Sequence, residues 1–338
     1  MSDHKFLEVR DLEAGYQLGR PVRAVRKVSF DLAHGEFLGI AGESGCGKST
    51  LAFAITNMLA DPGKVFSGEV LFQGKDLVKC EREELRQMRW KEFSIVFQAS
   101  MNALNPVMKI KDQIYDAVKH HSSEYVSGFD QRVRELFDYV NISHAYLNAY
   151  PHQLSGGMKQ RVVIAAALAL DPKLVIMDEP TTALDVVVQR KILQKVAELR
   201  EKMGFSVIFI THDLSLLVEI SDYLAIMYAG RIVEKAPSKV LFSRPLHPYT
   251  EQLMASFPPL VGEKRRLQGI PGQPPDLSRE ITGCAFFERC PKRITGLCDV
   301  IEPQLTLQRD DHIVACHLYD HNPGPGDAHA VATTEYSN

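Results

Sequence analysis

The chain lacks any hydrophobic run long enough to cross a bilayer. Its longest apolar stretch, Val162 to Leu170, is ended by Asp171, whereas a spanning helix needs roughly 20 apolar residues. The opening residues, Met1-Ser2-Asp3-His4-Lys5, lead into no apolar core of signal-peptide type. A soluble chain that can still dock on a membrane protein is expected. An excess of one charge is also missing. The 39 Lys plus Arg against 42 Asp plus Glu give a formal charge of −3, which counts against nucleic acid as the main partner. Cysteine is scarce, six in 338 residues, too few for a small disulfide scaffold. No internal repeat of fixed period is present. What remains, 45% hydrophobic and 24% charged, is ordinary globular composition at a length of about two domains.

Up to about residue 240, strand-like and helix-like stretches alternate. Phe37 to Ala41, Phe93 to Phe97, Leu174 to Met177 and Ser206 to Thr211 are continuous apolar runs, the pattern of parallel strands buried on both faces. Ile110, Ile114 and Val118 repeat at helical spacing. So do Phe129, Val133, Leu136, Phe137 and Val140, and Ile192, Leu193, Val196, Leu199 and Met203. This alternation predicts an α/β fold with a mainly parallel core sheet, and Gly68 to Gly74 reads as an antiparallel edge. After Val240 the composition shifts. Pro245, Pro248, Pro258, Pro259, Pro271, Pro274 and Pro275 break any long helix. The polar stretch from 321 to 338 is expected to be a disordered tail.

Gly42-Glu43-Ser44-Gly45-Cys46-Gly47-Lys48-Ser49 fits G-x-x-x-x-G-K-[ST]. Its glycines let backbone N–H groups turn inward around phosphate oxygens. Lys48 brings a point charge to the β and γ phosphates, and Ser49 a hydroxyl to magnesium. The residues from Thr50 to Leu59 read as a helix whose positive end faces the anion. Cys46 reads as a small loop filler. Leu174 to Met177 ends in Asp178-Glu179, two carboxylates at the C-terminal end of a parallel strand, where such sheets bind ligands. Asp178 suits magnesium through water, and Glu179 suits a general base for an attacking water. His212 ends another strand and is assigned a γ-phosphate contact. Gln98 ends a third and is assigned to magnesium or water.

Ser155-Gly156-Gly157, ahead of an apolar helical stretch, forms a second anion cradle. One nucleotide does not need two cradles, so the second makes sense if it serves a nucleotide held by another subunit. This stretch resembles the signature motif of ABC-type ATPases. The order of motifs agrees: Tyr16, Gly42 to Ser49, Gln98, Ser155-Gly156-Gly157, Asp178-Glu179, Ala183-Leu184-Asp185, His212. The resemblance covers residues 1–243 and implies a P-loop nucleotide-binding domain with a mainly parallel core sheet, an antiparallel β subdomain and a helical signature subdomain. It implies ATP and Mg2+ as cofactors. Tyr16 would stack on adenine; Gly42, Ser44, Gly45, Cys46, Gly47, Lys48, Ser49 and Thr50 would hold the phosphates; Ser155, Gly156, Gly157 and Asp185 would act in trans. The catalytic set would be Glu179, His212 and Gln98, with magnesium on Ser49, Gln98 and Asp178.

Arg244 to Thr250, Gly283-Cys284-Ala285-Phe286 and Arg289-Cys290-Pro291 resemble the C-terminal extension of oligopeptide/dipeptide-importer ATPase subunits. That implies a small irregular C-terminal domain over 244–320. Its four cysteines, Cys284, Cys290, Cys298 and Cys316, are separated by five, seven and seventeen residues. Zinc sites usually show pairs two to four residues apart, so zinc is disfavoured. Four thiolates can hold an iron–sulfur cluster, and plain thiols remain open. The family resemblance implies a [4Fe-4S] cluster on these four residues.

The expected function is ATP hydrolysis that powers import of di- or oligopeptides. The implied partners are a second ABC ATPase subunit (a related but different chain, or a second copy), two transmembrane permease subunits and, indirectly, an extracytoplasmic solute-binding protein. The expected location is the cytoplasmic face of the cell membrane. Oligosaccharides, nickel chelates or glutathione are alternative cargoes. A soluble ABC ATPase working on nucleic acid or the ribosome is disfavoured, because only 106 residues lie between Lys48 and Ser155 and they carry no sustained heptads. A regulator that binds ATP without hydrolysis is disfavoured by the presence of Glu179.

Overall fold

The computed structural model describes residues 5–98, 103–121, 127–180, 186–256, 269–309 and 311–320. In chain order the strands are β1 (Leu7–Leu18), β2 (Arg20–Leu32), β3 (Phe37–Ala41), β4 (Gly63–Phe72), β5 (Lys75–Asp76), β6 (Phe93–Val96), β7 (Leu174–Asp178), β8 (Ser206–Ile210), β9 (Tyr223–Tyr228), β10 (Arg231–Pro237), β11 (Thr306–Leu307) and β12 (Ile313–Val314). Among the described residues they form two sheets, one of order β2-β1-β4-β5 and one of order β11-β12-β10-β9-β3-β8-β7-β6.

The centre of the larger sheet is parallel: β9, β3, β8, β7 and β6 run together. The runs β3, β7 and β8 are buried at every position, as a sheet covered on both faces requires. Helices carry one apolar stripe each. Ile110, Ile114 and Val118 are buried on the helix Ile110–Lys119. Phe129, Val133, Leu136 and Phe137 are buried on the helix Phe129–Tyr139.

The stretch 68–74 does not edge the core sheet. Residues 68–72 lie in β4, which pairs with β1 in the separate antiparallel sheet, and Gln73 and Gly74 turn the chain into β5. The long β1–β2 hairpin supplies the partner, which a local pattern in 68–74 cannot specify. The antiparallel edge of the core comes instead from β10, followed by β12 and β11 of the C-terminal extension. Apart from the helix Pro248–Ala255, the extension is mostly turns and short 3-10 segments, yet these two short strands continue the core sheet. The tail 321–338 lies outside the described residues.

A buried polar knot fastens this junction. Glu234 on β10 is fully buried. Its carboxylate accepts hydrogen bonds from the Leu246 amide at 2.7 Å, the His247 amide at 3.0 Å and His312 Nε2 at 2.6 Å. The Nδ1 of buried His247 accepts the Tyr249 amide at 3.0 Å, so this ring is neutral at that nitrogen. Burial pushes the His247 pKa down to about 4, against a smaller upward pull from Glu234. An unfolded imidazole titrates near 6.5, so below that pH the unfolded chain binds a proton that the native state refuses. Stability is therefore complete above about pH 6.5 and falls by about 3 kcal/mol as pH drops to about 4. Urea unfolding of the parent and of His247→Asn, at about pH 7 and pH 4.5, should show a steeper loss in the parent. Equal losses would mean that His247 is not held neutral.

Candidate nucleotide site

The phosphate loop follows β3. Gly42 (φ +157°), Gly45 (φ +78°) and Gly47 (φ +103°) take backbone conformations that side chains disfavour. A Cβ on Gly42 would sit 2.1 Å from the Met227 carbonyl oxygen, and one on Gly47 would sit 2.0 Å from the Ala24 carbonyl oxygen. A Cβ on Gly45 would meet nothing within 4 Å, so there it is the backbone conformation that favours glycine. Gly47 caps the helix Lys48–Ile55, which directs its free N–H groups at the loop. That helix starts earlier and stops earlier than the expected Thr50 to Leu59. Thr56 Oγ1 donates back to the Ala52 carbonyl at 3.0 Å, and Asn57 turns to φ +48° with its amide on the Leu77 carbonyl. Buried Lys48 donates from Nζ to the carbonyls of Gly42 at 2.8 Å and Glu43 at 3.0 Å. These are contacts that phosphate oxygens can replace. Cys46 is buried and packs as expected of a filler.

Asp178 and Glu179 stand at the end of β7 next to this loop. Asp178 is 2% exposed, and its Oδ1 has no hydrogen-bond partner among the described residues. Burial, then Glu179, raises its pKa, opposed by a hydrogen bond from Ser49. An orphaned carboxylate oxygen beside a serine hydroxyl fits a hard cation such as Mg2+. Glu179 is bent to φ +43°, its amide bonded to the Ile210 carbonyl at 2.9 Å. That turn aims its carboxylate between Gln98 and His212. Gln98 Nε2 donates to one oxygen at 3.0 Å, and His212 Nδ1 lies 3.4 Å from the other. Three residues from three strand ends thus meet on one carboxylate. His212 remains largely exposed, free to turn toward a ligand.

Tyr16 lies on β1, half-buried, with its hydroxyl 3.4 Å from Thr50 Oγ1. It therefore stands beside the helix that follows the phosphate loop. Ser155 caps the helix Gly156–Ala167, its hydroxyl accepting the Met158 amide at 3.3 Å. Ser155 and Gly156 are exposed. Asp185 lies outside the described residues.

The expectations missed Glu43, Tyr249 and Arg289. The Tyr249 hydroxyl accepts the Glu43 amide at 2.9 Å, and Arg289 grips the Glu43 carboxylate through two nitrogens at 2.7 and 2.9 Å. The phosphate-loop pattern treats Glu43 as a spacer, so nothing local marks it.

The Cys284 amide donates to the Cys298 carbonyl at 2.6 Å. Burial first, then the neighbouring cysteines, pushes Cys284 up to about 11 and Cys316 up to about 12. An all-thiol donor set suits a thiophilic centre. Even so, among the described residues no group of three or more His, Cys, Asp or Glu side chains is placed to hold a metal ion.

Residues 25–182 match the family described as ABC transporter, and residues 233–298 match the oligopeptide/dipeptide transporter C-terminal region. The dipeptide transport ATP-binding protein DppD of Bacillus subtilis is 42% identical over 320 residues, which cover 94% of this chain and 95% of that protein. This chain belongs to the oligopeptide/dipeptide family of ABC transporter ATP-binding subunits. It is an ATPase. The oligopeptide transport ATP-binding protein OppD of the same organism is 45% identical over 290 residues, covering 84% of this chain and 81% of that one. Among solved structures, the ATP-binding cassette MJ0796 bound to ADP and Pi superposes with a TM-score of 0.60 at 28% identity, covering 69% of this chain and 98% of that one. No helix among the described residues is long and apolar enough to cross a membrane.

Proposed function

We propose that this subunit hydrolyses ATP to drive uptake of di- or oligopeptides through a separate membrane permease, from the cytoplasmic face of the membrane. The observation that carries the mechanism is the meeting of Gln98 and His212 on Glu179, beside the phosphate loop. Glu179 takes the proton of the attacking water, and His212 turns to contact the γ-phosphate. Lys48 exchanges its carbonyl partners for phosphate oxygens, and Tyr16 stacks on adenine. Ser49, Asp178 and Gln98 would hold Mg2+, which supplies charge neutralisation on the β and γ phosphates. The exposed Ser155 and Gly156 and the half-buried Gly157, with Asp185, grip the ATP of a second ATPase subunit, a related but different chain. Peptide as cargo rests on the names of the relatives and on the matched C-terminal region; oligosaccharides, nickel chelates and glutathione are the alternatives.

A groove of about 430 Å³ bordered by Trp90, Phe97, Leu104 and Ile114 adjoins Gln98 and suits a short apolar segment of the permease. Motion at Gln98 would pass to the membrane subunits there. Cys284, Cys290, Cys298 and Cys316 would hold a [4Fe-4S] cluster, a reading supported by an all-thiol donor set within one short stretch of the extension. Iron and sulfide in an anaerobic preparation support it, whereas stoichiometric zinc replaces it. Purifying the tagged subunit from membranes and identifying what accompanies it tests the whole reading. Two permease chains and a second ATPase are expected, with ATP turnover in vesicles raised by a peptide-loaded binding protein. A subunit that brings down no membrane protein would overturn it.

A further inference from the structure

Glu43 is an acid inside a loop built to receive a polyanion. Left free, its carboxylate would repel the triphosphate. In the fold it is fixed at three points. Its amide donates to the Tyr249 hydroxyl, its carbonyl accepts from Lys48, and its carboxylate is held by Arg289. Two of the three partners come from beyond residue 243.

Arg289 is built for this task. Its side chain is 4% exposed. Its Nε donates to the Pro271 carbonyl at 2.8 Å, and Nη1 lies 3.2 Å from the Tyr228 hydroxyl. The guanidinium rests 5.7 Å from the Tyr228 ring centre and 5.8 Å from that of Phe286. Those rings and Tyr249 pack together, with Tyr228 and Tyr249 centred 4.5 Å apart. Phe286 and Arg289 both lie between or beside Cys284 and Cys290. The only covalent route from Glu43 to Arg289 runs through 246 residues, but the spatial route is a single bidentate ion pair. Such planar pairing fixes direction as well as charge.

We propose that Arg289 is a positioning residue for ATP binding: from the cysteine-bearing extension it neutralises Glu43 and holds it clear of the triphosphate, so that the state of the extension sets nucleotide affinity. The proposal rests on the phosphate loop being the ATP site. Coupling of this kind is reciprocal, so bound nucleotide also steadies the extension.

The test uses the assembled transporter with Mg-ATP as probe. Couplings between sites commonly span 5- to 150-fold, so Arg289→Ala should raise the KM for ATP about tenfold with kcat changed less than about twofold. Removing the repelling acid as well, in Arg289→Ala/Glu43→Gln, should bring KM back to within about threefold of the parent. ATP should slow amide hydrogen exchange across residues 284–298 in the parent and not in Arg289→Ala. A parent-like KM in Arg289→Ala, or a double variant as weak as the single one, overturns the proposal. If Arg289→Ala loses the fold of the extension, Arg289→Lys decides, since it keeps the charge without the paired geometry. A KM raised about threefold is then expected, and a parent-like KM overturns it. A parent that binds no ATP would strike the phosphate-loop reading itself.

Discussion

Glu179→Gln should keep ATP bound while turnover falls by a factor of about 10² to 10⁴, the usual worth of a positioned general base. The amide is nearly the same shape. It can still meet Gln98 and His212, the two side chains that hold the carboxylate between them. It cannot accept the proton of the attacking water. The backbone at Glu179 is already turned to φ +43° and tied to β8 through Ile210, so the substitution leaves the local frame intact. With hydrolysis blocked, ATP should hold two ATPase subunits together, visible as an earlier-eluting and faster-sedimenting species than the free chains. Phosphate release, nucleotide binding and sedimentation together check this. Turnover within threefold of the parent would take Glu179 out of the base role.

The second large effect is at binding. Lys48→Ala should weaken Mg-ATP by about a hundredfold, since hydrogen bonds to a charged partner contribute about 1.5–3 kcal/mol each and tenfold corresponds to about 1.4 kcal/mol. Two things are lost. The buried ammonium no longer offsets phosphate charge, and its hydrogen bonds, made to the carbonyls of Gly42 and Glu43 before ATP binds, can no longer pass to phosphate oxygens. Titration calorimetry reads the affinity, and circular dichroism confirms that the fold is kept. Unchanged affinity would contradict the assignment of the loop. The contrast with Glu179→Gln is informative. One variant binds without turning over, and the other hardly binds.

The parallel core was legible because a strand covered on both faces leaves no room for polar alternation. β3, β7 and β8 show this at every position. The phosphate loop was legible because its glycines are dictated by φ and by contacts with Met227 and Ala24. Partnering was harder. The stretch 68–74 announced a strand, but its mate, β1, belongs to a hairpin whose paired residues lie some sixty positions earlier. Glu43, Tyr249 and Arg289 could not be found locally at all. Each is an ordinary residue until the chain folds back across 246 positions to bring them together. The helix after the loop was placed too late at both ends, because its end is set by the backward bond of Thr56 and the turn at Asn57 rather than by loss of apolar spacing.

One consequence concerns the way the core sheet ends. β12 pairs with β10 at Glu234 and Lys235, and the Ala315 amide donates to the Val233 carbonyl at 2.8 Å. A chain cut off after Ser243 would bare that side of β10 together with the Glu234 carboxylate. An open rim of unpaired peptide groups is a template for self-association, the hazard that leads to aggregation and amyloid. The ATPase portion expressed alone would therefore gather into insoluble particles before its catalytic power could be judged. The extension is, in that sense, the hem of the cloth.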